Sequence, residues 1–128
     1  DGITSFYLTP LDDRPLDPFK PGQHLPIEVQ IPGQRGIARR VYSLSGPPQD
    51  HRFYRISIKR EDAGLVSRFL HDDCHEGSVI AAHRPLGDFT MPGPDCPLVL
   101  VSAGVGLTPM LSALWANVSQ QPRRVWYV

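Results

Sequence analysis

Hydrophobic and polar residues alternate in short runs along the first part of the chain, which is the pattern of half-buried β-strands. Five segments are predicted strands: residues 3–8, 24–31, 37–45, 53–60 and 78–82. Leu65, Phe69 and Leu70 recur at helical spacing between the last two. The pattern predicts an antiparallel barrel or sandwich with one short helix.

The pattern changes after Pro92-Gly93-Pro94-Asp95, a predicted interdomain link. Residues 98–101 are continuously apolar, as in a strand that is covered on both faces. Thr108 suits the cap and Pro109 the first position of a following helix. Its predicted apolar stripe is Met110, Leu111, Leu114, Trp115 and Val118. With another strand at residues 125–128, this order predicts a βαβ unit.

Composition and charge narrow the class of protein. The chain has 13 basic and 13 acidic residues, so we expect no nucleic-acid partner. No apolar run is long enough to span a membrane. Cys74 and Cys96 form no C-x-x-C pair, which favours two free thiols and a cytoplasmic location. The missing initial Met and the apolar final strand lead us to expect that the chain is a fragment.

Three short segments are candidates for binding a flavin nucleotide and a second dinucleotide. In Arg40-Val41-Tyr42-Ser43, strand periodicity places a cation beside an aromatic ring, which suits phosphate and a flavin ring. Gly64-Leu65-Val66-Ser67 opens a helix, where free N–H groups attract an anion. Gly104-x-Gly106-x-x-Pro109 lies between a strand and a helix, as a pyrophosphate-binding turn does.

Six segments, in this order, resemble the ferredoxin-NAD(P)+ reductase superfamily, especially its flavohemoglobin-type and oxygenase-type reductase modules. They are Lys20-Pro21-Gly22-Gln23, Arg40-Val41-Tyr42-Ser43-Leu44-Ser45, Ile56-Ser57-Ile58-Lys59-Arg60-Glu61, Gly64-Leu65-Val66-Ser67, Pro85-Leu86-Gly87-Asp88-Phe89 and Ala103-Gly104-Val105-Gly106-Leu107-Thr108-Pro109. The resemblance spans nearly the whole chain. It implies a mainly β fold, with a six-stranded antiparallel Greek-key FAD-binding barrel at residues 1–95. The first βαβ unit of a Rossmann-like NAD(P)-binding domain would follow, incomplete, at residues 96–128.

The resemblance also implies an activity and its residues. The module would pass hydride from NAD(P)H to FAD, and electrons on to an iron-sulfur, haem or other redox acceptor. Tyr42 at the flavin face and Ser43 at the ring edge are the implied catalytic residues. The other implied FAD contacts are His24, Arg40, Val41, Ile58, Lys59, Gly64, Leu65, Val66 and Ser67. The implied NAD(P)H contacts are Gly104, Val105, Gly106, Leu107, Thr108 and Pro109.

Three alternatives stay open from the residues. His71 and His75 are one helical turn apart, as in a zinc pair, but no second ligand cluster accompanies them, so no metal site is predicted. A non-catalytic barrel that binds another protein would keep the fold without the flavin. A reductase of the same family could use FMN in place of FAD. The sequence does not choose between NADH and NADPH, nor does it identify the final acceptor.

Overall fold

The computed structural model describes residues 2–93, 95–119 and 122–128. Its first part contains β1 (Ile3–Leu8), β2 (His24–Val29), β3 (Ala38–Ser43), β4 (Tyr54–Lys59), α1 (Leu65–Asp72) and β5 (Ala81–Ala82). Its second part contains β6 (Leu98–Leu100), a 3₁₀ helix (Gly104–Gly106), α2 (Leu107–Ser119) and β7 (Val125–Tyr127). The predicted strands and helices are therefore confirmed, most of the strands in shorter form. Pro94, in the predicted link, lies outside the described residues.

Hydrogen bonding divides the antiparallel strands into two sheets, β1-β4 and β3-β2-β5. Single bridges extend them: Leu44 pairs with Ile56, and His24 pairs with Leu86. Within the described residues, the sheets thus hold five antiparallel strands and do not close into the predicted six-stranded barrel. The pairing at Leu86 stays a single bridge because Pro85 has no N–H to donate and Gly87, with φ of 116°, leaves the extended conformation.

The main hydrophobic core is built from both sheets and α1. Alternate residues of β2 (Leu25, Ile27 and Val29) are buried, which confirms the period-2 pattern. Ile56 and Ile58 of β4 pack into the same cluster with Val66 and Leu70 of α1. This packing fixes the end of β4 against the start of α1.

Two of the segments that carry the family resemblance are hydrogen-bonded to one another. The Gln23 side chain accepts from the Lys20 backbone N–H at 2.8 Å and donates to the Gly87 carbonyl at 3.2 Å. The backbones of His24 and Leu86 exchange two hydrogen bonds of 2.9 Å. The start of β2 is therefore held against the loop that contains Gly87.

The second part is a parallel strand pair with α2 between the strands. Leu98 pairs with Val125 and Leu100 with Tyr127 in parallel register, as the predicted βαβ order requires. Leu98 and Leu100 are buried, whereas Val99 and Val101 are 60% and 66% exposed. The prediction that this strand is covered on both faces is wrong for these residues, because α2 packs on one face of it.

The buried face of α2 matches the predicted stripe only in part. Met110 and Leu114 pack against the cluster of Leu98, Leu100 and Ala113, as expected, whereas Trp115 and Val118 are exposed. The fully buried residues of the helix are Thr108, Ser112, Ala113 and Ala116, all of them small. In the part of the chain described by the structure, no helix has the length and apolar character required to cross a membrane.

The turn between β3 and β4 contains an acid-sensitive ion pair. Asp50 accepts from the Arg52 backbone N–H at 3.0 Å and from its guanidinium at 2.7 Å. These contacts lower the pKa of Asp50 from 3.8 to about 2. Since the folded-state pKa is depressed, the stabilisation is present above pH 3.8 and is lost as pH falls through about 2.

We therefore expect Asp50→Asn to lose less stability than the parent chain as pH falls through this window. Urea unfolding above pH 3.8 and near pH 2 measures the difference. Asp88→Asn is the matched control, because Asp88 is exposed and forms no ion pair within residues 2–93. Identical pH dependence in the parent and Asp50→Asn would contradict the assignment.

Candidate functional site

A cavity of about 480 Å³ lies where β3, the end of β4, the start of α1 and the start of α2 meet. All three candidate segments contribute to its wall. The predicted residues that line it are Arg40, Val41, Tyr42, Ser43, Ile58, Lys59, Gly64, Leu65, Val66, Ser67, Val105, Gly106, Thr108 and Pro109. The fold thus brings together segments that are far apart in sequence.

Arg40 supplies a positive charge that no acidic side chain neutralises within the described residues. Its Nη1 donates to the Arg39 carbonyl oxygen at 2.7 Å, and it makes no ion pair there. Arg39, the next residue on the strand, is instead paired with Glu28 at 2.8 Å. Neighbouring arginines of β3 therefore have different surroundings, and Arg40 is available to an anion in the cavity.

Tyr42 and Ser43 both line the cavity, although an ideal strand would point them to opposite faces. Both side chains can line the cavity because β3 ends at Ser43, and the next residue, Leu44, forms only a single bridge with Ile56. Burial raises the pKa of Tyr42, while the positive charge of Arg40 acts in the opposite direction. The cation and the aromatic ring are thus neighbours, as the strand period predicted.

The turn before α1 is tightly hydrogen-bonded. The Gly64 N–H donates to the Glu61 carbonyl at 2.9 Å, and the Glu61 N–H donates to Ser67 Oγ at 3.2 Å. Ser67 Oγ in turn lies 3.3 Å from the Gly64 carbonyl and donates to it. The Ser67 hydroxyl is therefore used within the turn, and an anion here would be met by backbone N–H groups. No side chain caps α1, and its first turn contains no acidic residue, which leaves those groups free for an anion.

Gly64 is required by close packing in this turn. A Cβ at this position would lie 2.3 Å from Ser67 Oγ and 2.9 Å from the Glu61 Cβ. We expect Gly64→Ala to shift the turn and to weaken FAD binding about fivefold, as the loss of about one hydrogen bond would. Fluorescence titration with FAD measures this change.

Gly93→Ala is the matched control for Gly64→Ala. An added Cβ at Gly93 meets nothing within 4 Å, and its φ is not positive. This variant should bind FAD like the parent chain. If the two variants bind FAD equally, the shape of the Gly64 turn does not contribute to the site.

The glycine-rich segment also borders the cavity, with a local structure that differs from the prediction. Residues Gly104–Gly106 form a 3₁₀ helix, and α2 begins at Leu107. The predictions of Thr108 as the cap and Pro109 as the first helical residue are therefore wrong. Because the 3₁₀ helix continues directly into α2, Thr108 already lies inside the helix, where its hydroxyl donates to the Val105 carbonyl at 3.1 Å.

Three predicted contacts do not line the cavity, namely His24, Gly104 and Leu107. His24 is paired with Ser43 across the β2-β3 ladder, but its ring lies against Gly87, where an added Cβ would be 2.9 Å from its Nδ1. The cavity also includes Ser57 and Glu61, which belong to a segment that carries the family resemblance but were not predicted as contact residues.

Ser57 belongs to a chain of hydroxyl groups that runs from the exposed Ser5 to the buried Ser45. Its Oγ lies 2.8 Å from Ser5 Oγ and 2.9 Å from Ser45 Oγ, and Arg55 Nε donates to Ser45 Oγ at 3.2 Å. Strand alternation predicts that Ser57 faces away from Ile56 and Ile58. The alternation along β4 could be read from the sequence, but it does not show that a cavity lies on the Ser57 face of the strand.

The histidines of the alternative zinc pair have other partners. His71 Nε2 lies 2.9 Å from the Ile58 carbonyl oxygen, and its Nδ1 lies 3.4 Å from Thr4 Oγ1. His75 Nδ1 lies 3.0 Å from the Glu76 carbonyl oxygen. Among residues 2–93, 95–119 and 122–128, no group of three or more His, Cys, Asp or Glu side chains is placed to hold a metal ion. Cys74 and Cys96 are free thiols, as predicted.

Comparison with known proteins establishes the family. Residues 7–91 match the family model described as oxidoreductase FAD-binding domain, and the chain belongs to this family, within the ferredoxin-NAD(P)+ reductase superfamily. Its relatives include a flavohemoprotein of Deinococcus radiodurans, 50% identical over 111 residues, which cover 86% of this chain and 27% of that protein. The chain spans less than a third of the length of the first curated relatives that it matches.

Solved structures show the same fold. The flavohem-like FAD/NAD-binding domain of nitric oxide dioxygenase from Vibrio cholerae O1 biovar El Tor has a TM-score of 0.93 and 39% identity, over 99% of this chain and 55% of that one. Phthalate dioxygenase reductase, described as a modular structure for electron transfer from pyridine nucleotides to [2Fe-2S], has a TM-score of 0.86 and 31% identity, over 98% of this chain and 38% of that one.

Proposed function

We propose that this chain is the flavin-binding part, with the start of the nucleotide-binding part, of an NAD(P)H oxidoreductase. The enzyme passes hydride from NAD(P)H to FAD and electrons on to a haem or iron-sulfur acceptor. One observation carries the proposal. A single cavity joins Arg40, which has no acidic partner among the described residues, with the half-buried Tyr42, the uncapped start of α1 and the glycine-rich segment before α2.

The proposed domain division places the FAD-binding domain at residues 1–95 and the start of the NAD(P)-binding domain at residues 96–128. We propose that the two antiparallel sheets correspond to the halves of a Greek-key barrel, with the segment at Leu86 in the place of its sixth strand. The parallel pair β6-β7 with α2 is proposed as the first unit of a Rossmann-like domain. The high TM-score with an FAD/NAD-binding domain supports this division.

Each wall of the cavity has a proposed role toward the flavin. Arg40 pairs with the phosphates, Tyr42 lies against the isoalloxazine face, and Ser43 hydrogen-bonds the ring edge. The backbones of Ile58 and Lys59 contact the pyrimidine side, and residues 64–67 receive the pyrophosphate. Val41 completes the same wall of the cavity. When bound, the flavin supplies the redox chemistry, while the protein supplies binding, orientation and charge.

The glycine-rich segment before α2 has a proposed role toward NAD(P)H. Val105, Gly106, Thr108 and Pro109 border the cavity, so a nucleotide held there would face the flavin site. Gly104 and Leu107 belong to the same segment and are proposed to contact the nucleotide through their backbones. Similarity to flavohemoproteins supports haem as the acceptor, and similarity to phthalate dioxygenase reductase supports an iron-sulfur acceptor. Two free thiols support a cytoplasmic location.

Reduction of the bound flavin tests the proposed activity. The chain loaded with FAD is mixed anaerobically with NADH or NADPH, and the loss of oxidised-flavin absorbance is followed against free FAD. We expect faster reduction of the bound flavin than of free FAD with at least one nucleotide. The alternative of a non-catalytic barrel predicts a colourless protein that takes up no flavin.

A further inference from the structure

We propose that Glu61 is a specificity-determining residue that makes the flavin site prefer FAD to FMN. This inference rests on the proposed function. Glu61 lines the same cavity as Arg40 and the start of α1, and it is a negative charge placed where the ligand is expected to be negative. By pairing with Lys59, Glu61 removes a positive charge that a phosphate with two negative charges would need.

The backbone fixes Glu61 beside the start of α1. Its carbonyl accepts the Gly64 N–H at 2.9 Å, and its own N–H donates to Ser67 Oγ at 3.2 Å. The Glu61 Cβ lies 2.9 Å from the position that a Gly64 Cβ would occupy. Glu61 therefore belongs to the same short turn as the backbone N–H groups that are proposed to receive the phosphate.

The charges of the cavity are largely balanced before a ligand binds. Its charged lining residues are Arg40, Lys59 and Glu61. Lys59 Nζ lies 3.0 Å from Glu61 Oε1, so these two charges offset each other. Arg40 has no acidic partner among the described residues and remains as the net positive charge. The Lys59–Glu61 pair thus leaves a single net positive charge for the phosphates of a ligand.

FAD and FMN differ in how their phosphate charge is distributed. Each phosphate of the FAD pyrophosphate has one ester and one anhydride bond and carries one negative charge. The terminal phosphate of FMN is a monoester, whose second ionisation near pH 6 gives it a charge of about −1.5 to −2 at pH 7. A phosphate with two charges gains more from a second positive partner, which Lys59 does not supply while it is paired with Glu61. Because the Lys59 and Glu61 side chains are 50% and 60% exposed, solvent screening limits the expected penalty for FMN to about twofold to threefold in affinity.

The test is fluorescence titration of the parent chain and Glu61→Gln with FAD, FMN and riboflavin, which has no phosphate. Freeing Lys59 tightens both phosphorylated flavins, so the readout is the ratio of the FMN to the FAD dissociation constant. This ratio should fall about twofold to threefold in Glu61→Gln, while riboflavin affinity stays unchanged. Glu61→Ala removes the same charge and should give the same shift. Asp62→Asn, at a fully exposed neighbouring carboxylate, should behave like the parent chain.

An unchanged ratio of the FMN to the FAD dissociation constant in both Glu61 variants would overturn the proposal. A change in riboflavin affinity as large as the change in FMN affinity would also overturn it, because it would show that the substitution reshapes the cavity. If the parent chain binds none of the three flavins, the proposed function itself fails. That outcome is distinguishable from failure of the role of Glu61 alone.

Discussion

Arg40→Ala should weaken FAD binding about thirtyfold, which corresponds to about 2 kcal/mol, the usual strength of a hydrogen bond to a charged group. Arg40 lines the cavity and is unpaired among the described residues, so its charge is available to a phosphate. Its truncation removes the only net positive charge that the described lining residues supply. The dissociation constant comes from fluorescence titration with FAD.

Two control variants make this test specific. Arg39→Ala removes the same charge one residue away, but Arg39 is paired with Glu28 and does not line the cavity. Cys96→Ala alters an exposed thiol outside the cavity. Both should bind FAD within about twofold of the parent chain, since surface ion pairs contribute little. Equal affinities for Arg40→Ala and Cys96→Ala would remove Arg40 from the site.

Ile56→Ala should lower the free energy of unfolding by about 3 kcal/mol. Ile56 is fully buried in the core that joins both sheets and α1, and its backbone forms the single bridge to Leu44. Loss of its side-chain atoms removes buried apolar surface and leaves a cavity that the surrounding core fills only partly. Denaturant unfolding measures the change.

Ile37→Ala is the matched control for Ile56→Ala. Ile37 is 57% exposed, so the same substitution should change stability by less than about 0.5 kcal/mol. Similar losses in the two variants would show that the core does not lie where the structure places it.

The elements could be predicted from the sequence because each depends on local pattern. Alternation along residues 24–31 gives β2 and its buried face, and the spacing of Leu65, Phe69 and Leu70 gives α1. The buried face of α2 could not be predicted in the same way. Met110 and Leu114 of the predicted stripe pack against the β6 cluster, but the fully buried residues include the small Ala113 and Ala116, and Trp115 and Val118 remain exposed.

The candidate site was partly predictable for a related reason. Residues 40–43 and 64–67 could be found because their chemistry lies within a few consecutive residues. Ser57 and Glu61 were missed because they line the cavity only when β4, α1 and the segment before α2 meet. The internal use of the Ser67 hydroxyl likewise depends on the folded turn.

The most direct test of the account is titration of the purified chain with FAD, followed by flavin fluorescence and the visible spectrum. We predict saturable quenching and a perturbed flavin spectrum, both reduced in Arg40→Ala and retained in Arg39→Ala. FAD that stays free at every protein concentration, with the chain folded by circular dichroism, would contradict the assignment of this cavity as a flavin site.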